Sequence, residues 1–378
     1  MNRNSVLLHA AASFLSSVLN FVTFSWLLKV FGAGYIGDLV YYQSIAFGLL
    51  IVWNLGLNSL IVQQKQKDLK AVYNTLRRRQ FLVVLALLVL FGSFWLGLEL
   101  FLTIFYSISL VVVSFASTFL YSKGYAWFYL IYTNIGSIAS LLMLVLVFGA
   151  SNPLIGRIGT LIISNLCQLV FFIVLVFYKM SSTNSDEAYD TKDSLSAFLA
   201  ELLSYGVEKT DKLFLRGTVT ASDYGLYSAV YQLGTVFGLV SSAVSRSFIG
   251  SIREVDESWI TVKATYFKYL AISLMLFLPL SATYIYFMVG LSAKIISVLV
   301  IIVIAYLFDS IWKLESTELA LKKDVVLQSK ISIYTGVFAL IIYAVAANFS
   351  SIVIMALSNL FVYIFGYVLS RRFAARAV

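Results

Sequence analysis

Six ionisable side chains fall within sixteen positions of a sequence that is otherwise close to a continuous series of apolar runs. They are Glu201, Glu208, Lys209, Asp211, Lys212 and Arg216. At about 100° per residue of helix, Glu201, Glu208, Lys212 and Arg216 share one face. Charges are costly inside a membrane, so a spanning helix turns them toward protein or water, and such a cluster indicates a functional site. The alternative is a helix that lies in the membrane interface with its charges in water.

The spacing of these charges favours mutual neutralisation and the binding of an anion. Glu208 precedes Lys212 by four residues, which is the favoured order for a helical ion pair. Arginine binds phosphate or carboxylate through two parallel hydrogen bonds, whereas lysine acts as a point charge. These residue types therefore suit an anionic ligand, with Glu201, Glu208 and Asp211 as ion-pair or coupling partners of the cations. An interhelical ion-pair network that only stabilises a helix bundle is the alternative.

Composition places these charges in a membrane protein. Of the 378 residues, 61% are hydrophobic and 12% are charged, and the mean hydropathy is +0.92. Repeated runs of about 20 apolar residues predict transmembrane helices rather than a soluble domain. The net charge of +9 is compatible with a polytopic membrane protein, in which Lys and Arg set the orientation, so we predict no nucleic-acid partner.

The sequence gives no support to metal, cofactor or enzyme chemistry. The chain has one histidine, His9, and one cysteine, Cys167, so we predict no metal site. The sequence also lacks a nucleotide-binding loop and a nucleophile motif. We therefore predict that the protein uses no cofactor and is not an enzyme.

The apolar runs predict twelve transmembrane helices. Their expected bounds are Val6–Leu28, Leu39–Val62, Phe81–Gly97, Phe101–Tyr121, Trp127–Phe148, Ile158–Tyr178, Leu195–Arg216, Tyr224–Phe248, Ala264–Val289, Ile295–Trp312, Gln328–Ala347 and Ile352–Ser370. A hydrophilic interval separates the first six spans from the last six. We therefore predict an all-α integral membrane protein with two six-helix lobes, at 1–178 and 195–378, joined by a linker at 179–194.

The basic residues predict the orientation of these spans. With the N-terminus in the cytoplasm, 21 of the 27 Lys and Arg residues fall in cytoplasmic segments, as the positive-inside rule expects. If Leu195–Arg216 did not cross the membrane, the basic residues after it, including Arg371 and Arg372, would lie outside. We therefore predict that this segment crosses, and that the linker and both termini are cytoplasmic.

A weak internal repeat supports the division into two halves. The stretch at 42–49 in the second span resembles the stretch at 231–239 in the eighth, with a spacing that differs by one residue. Six helices in each half would make the repeats parallel in topology. Transporters built in this way place their substrate site between the halves.

Polar residues on individual spans are candidates for lining such a site. In the first span, Asn20 lies on a polar face, and Lys29 follows near the outer end. In the eighth span, Tyr231 begins a polar face that leads to Arg246. We therefore consider Asn20, Lys29, Tyr231 and Arg246 candidate substrate-binding residues. Packing between helices is the alternative, because small and hydroxyl residues are the ordinary contact surface of membrane helices.

Three short motifs in or next to the predicted spans carry a resemblance to a known family. They are Phe31-Gly32-Ala33-Gly34-Tyr35-Ile36-Gly37-Asp38 with Leu55-Gly56-Leu57, then Asp211-Lys212-Leu213-Phe214-Leu215, then Gly225-Leu226-Tyr227-Ser228-Ala229-Val230-Tyr231. The first resembles the first hairpin of Wzx-type polysaccharide flippases, which belong to the multidrug/oligosaccharidyl-lipid/polysaccharide exporter superfamily. The second is similar to the Asp-Arg-hydrophobic segment of that family's seventh helix, with Lys in place of Arg. The third is similar to its Gly-x-Tyr-Ser-x-x-Tyr opening of the eighth helix.

This resemblance implies a twelve-helix, two-lobed, V-shaped exporter. It implies translocation of undecaprenyl-diphosphate-linked oligosaccharide repeat units of O-antigen, capsule or exopolysaccharide, by alternating access, across the bacterial cytoplasmic (inner) membrane. The implied partners are the lipid-linked oligosaccharide, membrane lipids, and the polymerase and chain-length proteins of the same pathway. Lys212 and Arg216 are then expected to bind the diphosphate or acidic sugars of the substrate.

Two other functions fit a chain of this kind. A membrane polymerase or ligase of lipid-linked glycans also has many spans, but it typically carries a long external loop for catalysis. No external interval here exceeds about ten residues, which argues against that function. A small-molecule exporter of the same fold is the other alternative.

Overall fold

The computed structural model describes the backbone at residues 3–58, 61, 74–75, 80–123, 125–179, 194–234, 256–288, 290, 292–321 and 325–374. These residues form helices and short connections, and none of them lies in a β-strand. Among them, seven helical segments are long and apolar enough to cross a membrane. The prediction of an all-α integral membrane protein is confirmed.

The described helices follow the predicted spans closely in number and order. They are α1 Arg3–Asn54, α2 Gln80–Phe94, α3 Leu98–Ser122, α4 Ala126–Leu142, α5 Leu144–Phe148, α6 Pro153–Lys179, α7 Ser194–Arg216, α8 221–234, α9 Asp256–Met288, α10 Ala293–Leu321, α11 Val325–Ala347 and α12 Ile352–Ala374. The charged segment forms one uninterrupted helix, α7. Residues 180–193 of the predicted linker at 179–194, and the end of the predicted eighth span, 235–248, lie outside the described residues.

Several boundaries differ from those expected; α9, for example, begins at Asp256 rather than at the predicted Ala264. The first two predicted spans were expected to be separated near residues 29–38, but the structure has one helical run, α1, that breaks only at Gly32. Gly32 has φ 82° and ψ 178°, a backbone conformation that residues with a Cβ rarely adopt. Helix α10 continues to Leu321, nine residues beyond the predicted Trp312. The sequence prediction ended that span where charged residues begin, although charges at a membrane surface do not interrupt a helix.

The chain divides into two compact units, with the divisions at Tyr41–Tyr42 inside α1 and at Leu202–Leu203 inside α7. One unit contains Met1–Tyr41 and Leu203–Val378, and the other contains Tyr42–Leu202. This grouping by internal contacts places the first part of α1 with the C-terminal helices, whereas the sequence analysis placed it in the N-terminal lobe. The assignment of lobes at 1–178 and 195–378 stays a prediction.

The larger unit has a core built around tyrosine rings. Helix α12 packs against α10 and α11, and α10 also packs against α9 and α11. Buried tyrosines come from five helices of this unit, at positions 224, 227, 231, 266, 306, 343 and 363. A buried tyrosine hydroxyl requires a hydrogen-bond partner, so this core is both apolar and rich in polar groups.

Within the same unit, α1 and α8 approach each other at two glycines. A Cβ at Gly37 would lie 2.7 Å from the ring of Tyr224, and a Cβ at Gly225 would overlap the carbonyl group of Ala33. The ring of Tyr284 in α9 also packs on Phe21 of α1 at a centroid distance of 4.9 Å. Small residues therefore let residues 33–37 of α1 lie directly on the start of α8.

The smaller unit packs α3, α4 and α5 against α6, and α2 against α3. Its core also contains buried amide and guanidinium groups. Gln168 donates to the backbone oxygen of Tyr132 at 3.0 Å, and Asn165 donates to Ser109 Oγ at 2.7 Å. Arg157, which is 5% exposed, donates to the backbone oxygen of Ser140 at 3.3 Å. These hydrogen bonds join helices whose apolar surfaces alone would pack equally well against lipid.

Candidate functional site

Two consecutive residues of α7 carry deeply buried charges in the larger unit. The side chains of Lys212 and Asp211 are 2% and 0% exposed. Lys212 Nζ donates to Asp211 Oδ1 at 3.1 Å and to the backbone oxygen of Glu208 at 2.8 Å. It also lies 3.1 Å from the ring centroid of Tyr231, in cation–π contact. A buried ion of this kind persists only when it is paired and hydrogen-bonded, and this ammonium is both.

The second carboxylate oxygen of Asp211 is hydrogen-bonded to two other helices directly and is linked to a third through Asn359. Asp211 Oδ2 accepts a hydrogen bond from the Tyr227 hydroxyl of α8 at 2.6 Å and another from Asn359 Nδ2 of α12 at 3.0 Å. The Tyr343 hydroxyl of α11 lies 2.8 Å from Asn359 Oδ1 and 2.9 Å from the backbone oxygen of Val207. One buried carboxylate therefore holds α7, α8, α11 and α12 in a common hydrogen-bond network.

A layer of tyrosine rings closes this network on the side of α10. The Tyr231 hydroxyl donates to the backbone oxygen of Glu208 at 3.0 Å and lies 3.4 Å from the hydroxyl of Tyr363. The ring of Tyr306 packs against Tyr231 with centroids 5.5 Å apart and against Tyr363 with centroids 6.1 Å apart. Because Tyr231 is itself only 2% exposed, its ring separates the Lys212 ammonium from solvent.

A second ion-pair cluster joins α7 to α10. Lys313 Nζ lies 2.8 Å from Asp309 Oδ2 and 3.5 Å from Glu208 Oε1. The expected ion pair between Glu208 and Lys212 is absent from the described contacts, because Glu208 turns its carboxylate outward, where it is 47% exposed. Glu208 gives Lys212 only its backbone oxygen, and the adjacent Asp211 supplies the counter-charge.

Arg216, at the end of α7, pairs with Asp38 of α1. The two side chains are 33% and 38% exposed, so this ion pair is accessible to water. Nearby in the same unit, Lys294 at the start of α10 lies 2.7 Å from Asp223 of α8. The structure therefore brings Asp211 and Lys212 together in the core and places Arg216 at an accessible position one turn further along the helix.

The other predicted site residues are spread over the structure. Asn20 and Lys29 are both exposed on α1, and Tyr231 is buried over Lys212. Glu201, in the smaller unit, accepts a hydrogen bond from Asn54 Nδ2 at 3.5 Å. Arg246 lies outside the described residues. The assignment of these residues to substrate binding or coupling stays a prediction.

The sequence analysis did not identify the hydrogen-bonding partners of Asp211 on other helices, Tyr227 and Asn359. A signal was present for both of them, because Asn359 is the only side-chain amide in the run at 352–370, and Tyr227 lies four residues before Tyr231. Asp309, near the end of the predicted tenth span, is also buried, since its side chain is only 2% exposed. Hydropathy identifies a polar residue in a span, but it does not identify the helix that the residue contacts.

No group of three or more His, Cys, Asp or Glu side chains that could hold a metal ion occurs in the part of the chain that the structure describes. The buried groups described around Asp211 are instead one ammonium, one carboxylate, one side-chain amide and several hydroxyl groups. Such groups bind, orient and balance charge.

Solved transporter structures share this fold over almost the whole chain. An outward-facing multidrug resistance MATE family transporter of the MOP superfamily matches with a TM-score of 0.65 at 15% identity, over 99% of this chain and 96% of that one. The lipid II flippase MurJ in an inward closed conformation matches with a TM-score of 0.72 at 14% identity, over 98% of this chain and 87% of that one. No protein-family model matches the chain, and no curated protein matches its sequence. The protein is therefore a multi-pass, all-helical membrane protein with the fold that these transporters and this flippase share.

Proposed function

We propose that the protein is a flippase that moves undecaprenyl-diphosphate-linked oligosaccharide repeat units of a surface polysaccharide across the bacterial cytoplasmic membrane by alternating access. The observation that carries this proposal is the match to a lipid II flippase, whose TM-score of 0.72 exceeds the 0.65 of the outward-facing MATE transporter. The resemblance of the motifs around Asp38, Lys212 and Tyr227 to Wzx-type flippases is a second, independent support from the sequence.

Arg216 is the cation that best fits the anionic headgroup of such a substrate. Its guanidinium is a third exposed and is held in place by Asp38 rather than enclosed. A guanidinium presents a planar pair of donors that matches two phosphate oxygens. Asn20 and Lys29, both exposed on α1, are further candidates for contacts with the substrate. Lys212 is enclosed, so contact between its ammonium and a substrate requires the surrounding helices to separate.

The proposal includes the orientation predicted from the basic residues, with both termini in the cytoplasm and the protein in the inner membrane. A lipid-linked oligosaccharide made on the cytoplasmic face would then enter from that side and leave on the outer side. The polymerase and chain-length proteins of the same pathway would use the product.

A small-molecule exporter is the second candidate, and the MATE transporters that share the fold favour it. The tyrosine rings and the carboxylate that surround Lys212 are groups that would also suit an organic cation. The chemistry of the core is therefore compatible with an exporter of small cations as well as with a flippase. A polymerase or ligase has less support, because the solved structures that share the fold are transporters and a flippase.

The experiment is deletion of the gene in its host and complementation with wild-type protein, Arg216→Ala or Lys294→Ala. Surface polysaccharide, lipid-linked repeat units facing the cytoplasm and membrane-inserted protein are measured side by side. We expect the deletion to abolish the polysaccharide and to accumulate repeat units, and Arg216→Ala to restore at most a tenth of wild-type export, roughly the effect of losing one charged hydrogen-bonding group. Lys294→Ala is the matched control, because Lys294 is a paired, exposed cation at the start of α10, and it should restore export fully.

Each rival function gives a different result in this experiment. Single repeat units at the surface without long chains would indicate a polymerase. Normal glycans with altered resistance to small toxic cations would indicate an exporter. Full export by Arg216→Ala at wild-type protein levels would remove Arg216 from the substrate site while leaving the flippase function intact.

A further inference from the structure

The surroundings of the Lys212 ammonium resemble a binding site for a small cation. Its three oxygen contacts are Asp211 Oδ1 at 3.1 Å, Asp211 Oδ2 at 3.5 Å and the backbone oxygen of Glu208 at 2.8 Å. The face of the Tyr231 ring covers it at 3.1 Å from the centroid. Carboxylate oxygens, backbone carbonyl oxygens and aromatic faces are also groups that attract a bare monovalent cation.

The groups that contact the ammonium are themselves held by other helices. Asp211 Oδ2 accepts hydrogen bonds from Tyr227 and Asn359, which fixes the orientation of the carboxylate. The Tyr231 hydroxyl donates to the same Glu208 oxygen that accepts from Lys212, which fixes the ring above the ammonium. The site is therefore built by residues of α7, α8 and α12, and it does not depend on the lysine for its shape.

The charge at this site must be balanced whatever the protein transports. Asp211 is 0% exposed, and an unpaired carboxylate at such a position is strongly unfavourable. The four-carbon side chain of Lys212 places a compact positive charge on the carboxylate without recruiting an ion from solution. Since Lys212 is part of the chain, this counter-charge cannot diffuse away from the carboxylate.

We propose that the Lys212 ammonium is the resident cation of a monovalent-cation site centred on Asp211. The larger unit therefore needs no dissolved alkali cation at this site. Replacement of Lys212 by a neutral side chain leaves the carboxylate, the carbonyl oxygen and the ring in place, so it opens the site to Na⁺ or K⁺. This inference goes beyond the proposed function and does not depend on it.

The test uses the full-length protein in detergent and measures thermal unfolding in choline chloride, NaCl and KCl at equal ionic strength. The variants are Lys212→Met, the double variant Asp211→Asn with Lys212→Met, and Lys209→Met, which removes a neighbouring cation of the same helix. We expect the Tm of Lys212→Met to rise by about 3–6 °C from choline to an alkali salt, in a saturable manner. Wild-type protein, Lys209→Met and the double variant should each differ by less than about 1 °C between salts.

The outcomes separate the proposal from a merely structural ion pair. A Tm shift by alkali cations in wild-type protein that is absent from the double variant would overturn it, because a dissolved cation would then fill the site beside Lys212. Equal Tm values of Lys212→Met in choline and in both alkali salts would also overturn it. If Lys212→Met does not fold in any salt, the double variant decides, since the proposal requires that removing both charges restores a folded protein. A double variant that also fails to fold would contradict it.

Discussion

At the scale of single residues, burial separates two kinds of ion pair in this protein. The pair of Asp211 and Lys212 is 0% and 2% exposed, and removing one member of such a pair costs about 3–5 kcal/mol because the other charge is left buried. The side chains of Asp38 and Arg216 are 38% and 33% exposed, and ion pairs that are this exposed contribute about 0–1 kcal/mol to stability. The first pair lies within α7 and its separation is costly, whereas the second, between α1 and α7, can open at little cost.

Asn359 is the residue whose substitution tests the buried network most directly. It donates to Asp211 Oδ2 at 3.0 Å and accepts from Tyr343 at 2.8 Å. Asn359→Leu keeps the approximate volume but removes a donor and an acceptor, so we expect a loss of about 1–3 kcal/mol in the free energy of unfolding. The measurement is unfolding by SDS in mixed micelles.

Ser358→Ala is the matched control for this prediction. Ser358 is buried beside Asn359, but its hydroxyl donates to the backbone oxygen of Ile354 in its own helix. Its removal leaves no other helix without a partner, so the expected change is below about 0.5 kcal/mol. Equal effects of the two substitutions would show that the network contributes nothing beyond helix packing.

The sequence was sufficient to find the charges but not their partners. A carboxylate and an ammonium in an apolar helix stand out in any hydropathy reading, which is why Asp211 and Lys212 were identified. The choice of Asp211 rather than Glu208 as the counter-charge depends on how α7 is rotated against α8 and α12. That rotation is set by tertiary packing, on which a single helix carries little information.

At the scale of elements, α1 depends on one glycine for its change of direction. Gly32 has φ 82° and ψ 178° within a helix of 52 residues, and a Cβ there would meet no atom within 4 Å. The restriction on this position is therefore one of backbone conformation alone. The sequence predicted two spans and a turn here, and the structure replaces the turn by a single non-helical residue.

Substitution of Gly32 separates backbone strain from steric overlap. Gly32→Ala forces a side chain into a conformation that costs about 1–3 kcal/mol, so we expect a loss of stability of that size or a straightened α1. Gly34→Ala, two residues later, places its Cβ 4.0 Å from Ala221 in ordinary contact and should change stability by less than about 1 kcal/mol. SDS unfolding of both variants measures the difference. A Gly32→Ala protein as stable as Gly34→Ala would contradict the role of this glycine.

At the scale of the whole molecule, composition and the count of apolar runs predicted the fold class. Each of the twelve predicted spans has at least part of its length in a described helix, because apolar runs in a membrane favour helices, whose backbone hydrogen bonds are made within the segment. The grouping of helices into compact units was not predictable in the same way. Residues 1–41 carry no sequence feature that assigns them to the helices after Leu203, since that assignment follows from contacts such as those of Phe21 and Ser25 with Tyr284.

Orientation in the membrane is the last property that the sequence predicts for the whole chain. The last turn of α12 carries Arg371 and Arg372, and 21 of the 27 basic residues fall on the side that we assign to the cytoplasm. Twelve crossings place both termini on that side, and six crossings place the interval at 180–193 there as well. Moving these basic residues outside would oppose the positive-inside rule, which acts most strongly on residues close to the ends of spans.

Reporter fusions test this orientation. Alkaline phosphatase, which is active only outside the cytoplasm, should be inactive when fused after Ser194 or after Val378, and green fluorescent protein should be fluorescent at both positions. A fusion after Gly217, between α7 and α8, is the matched control and should give active phosphatase, because α7 then lies between the two reporters as one crossing. Activity after Ser194 would reverse the orientation of the chain. Activity after Val378 alone would show an odd number of crossings after the linker and would exclude twelve spans, whereas inactivity after Gly217 would show that the charged helix α7 does not cross.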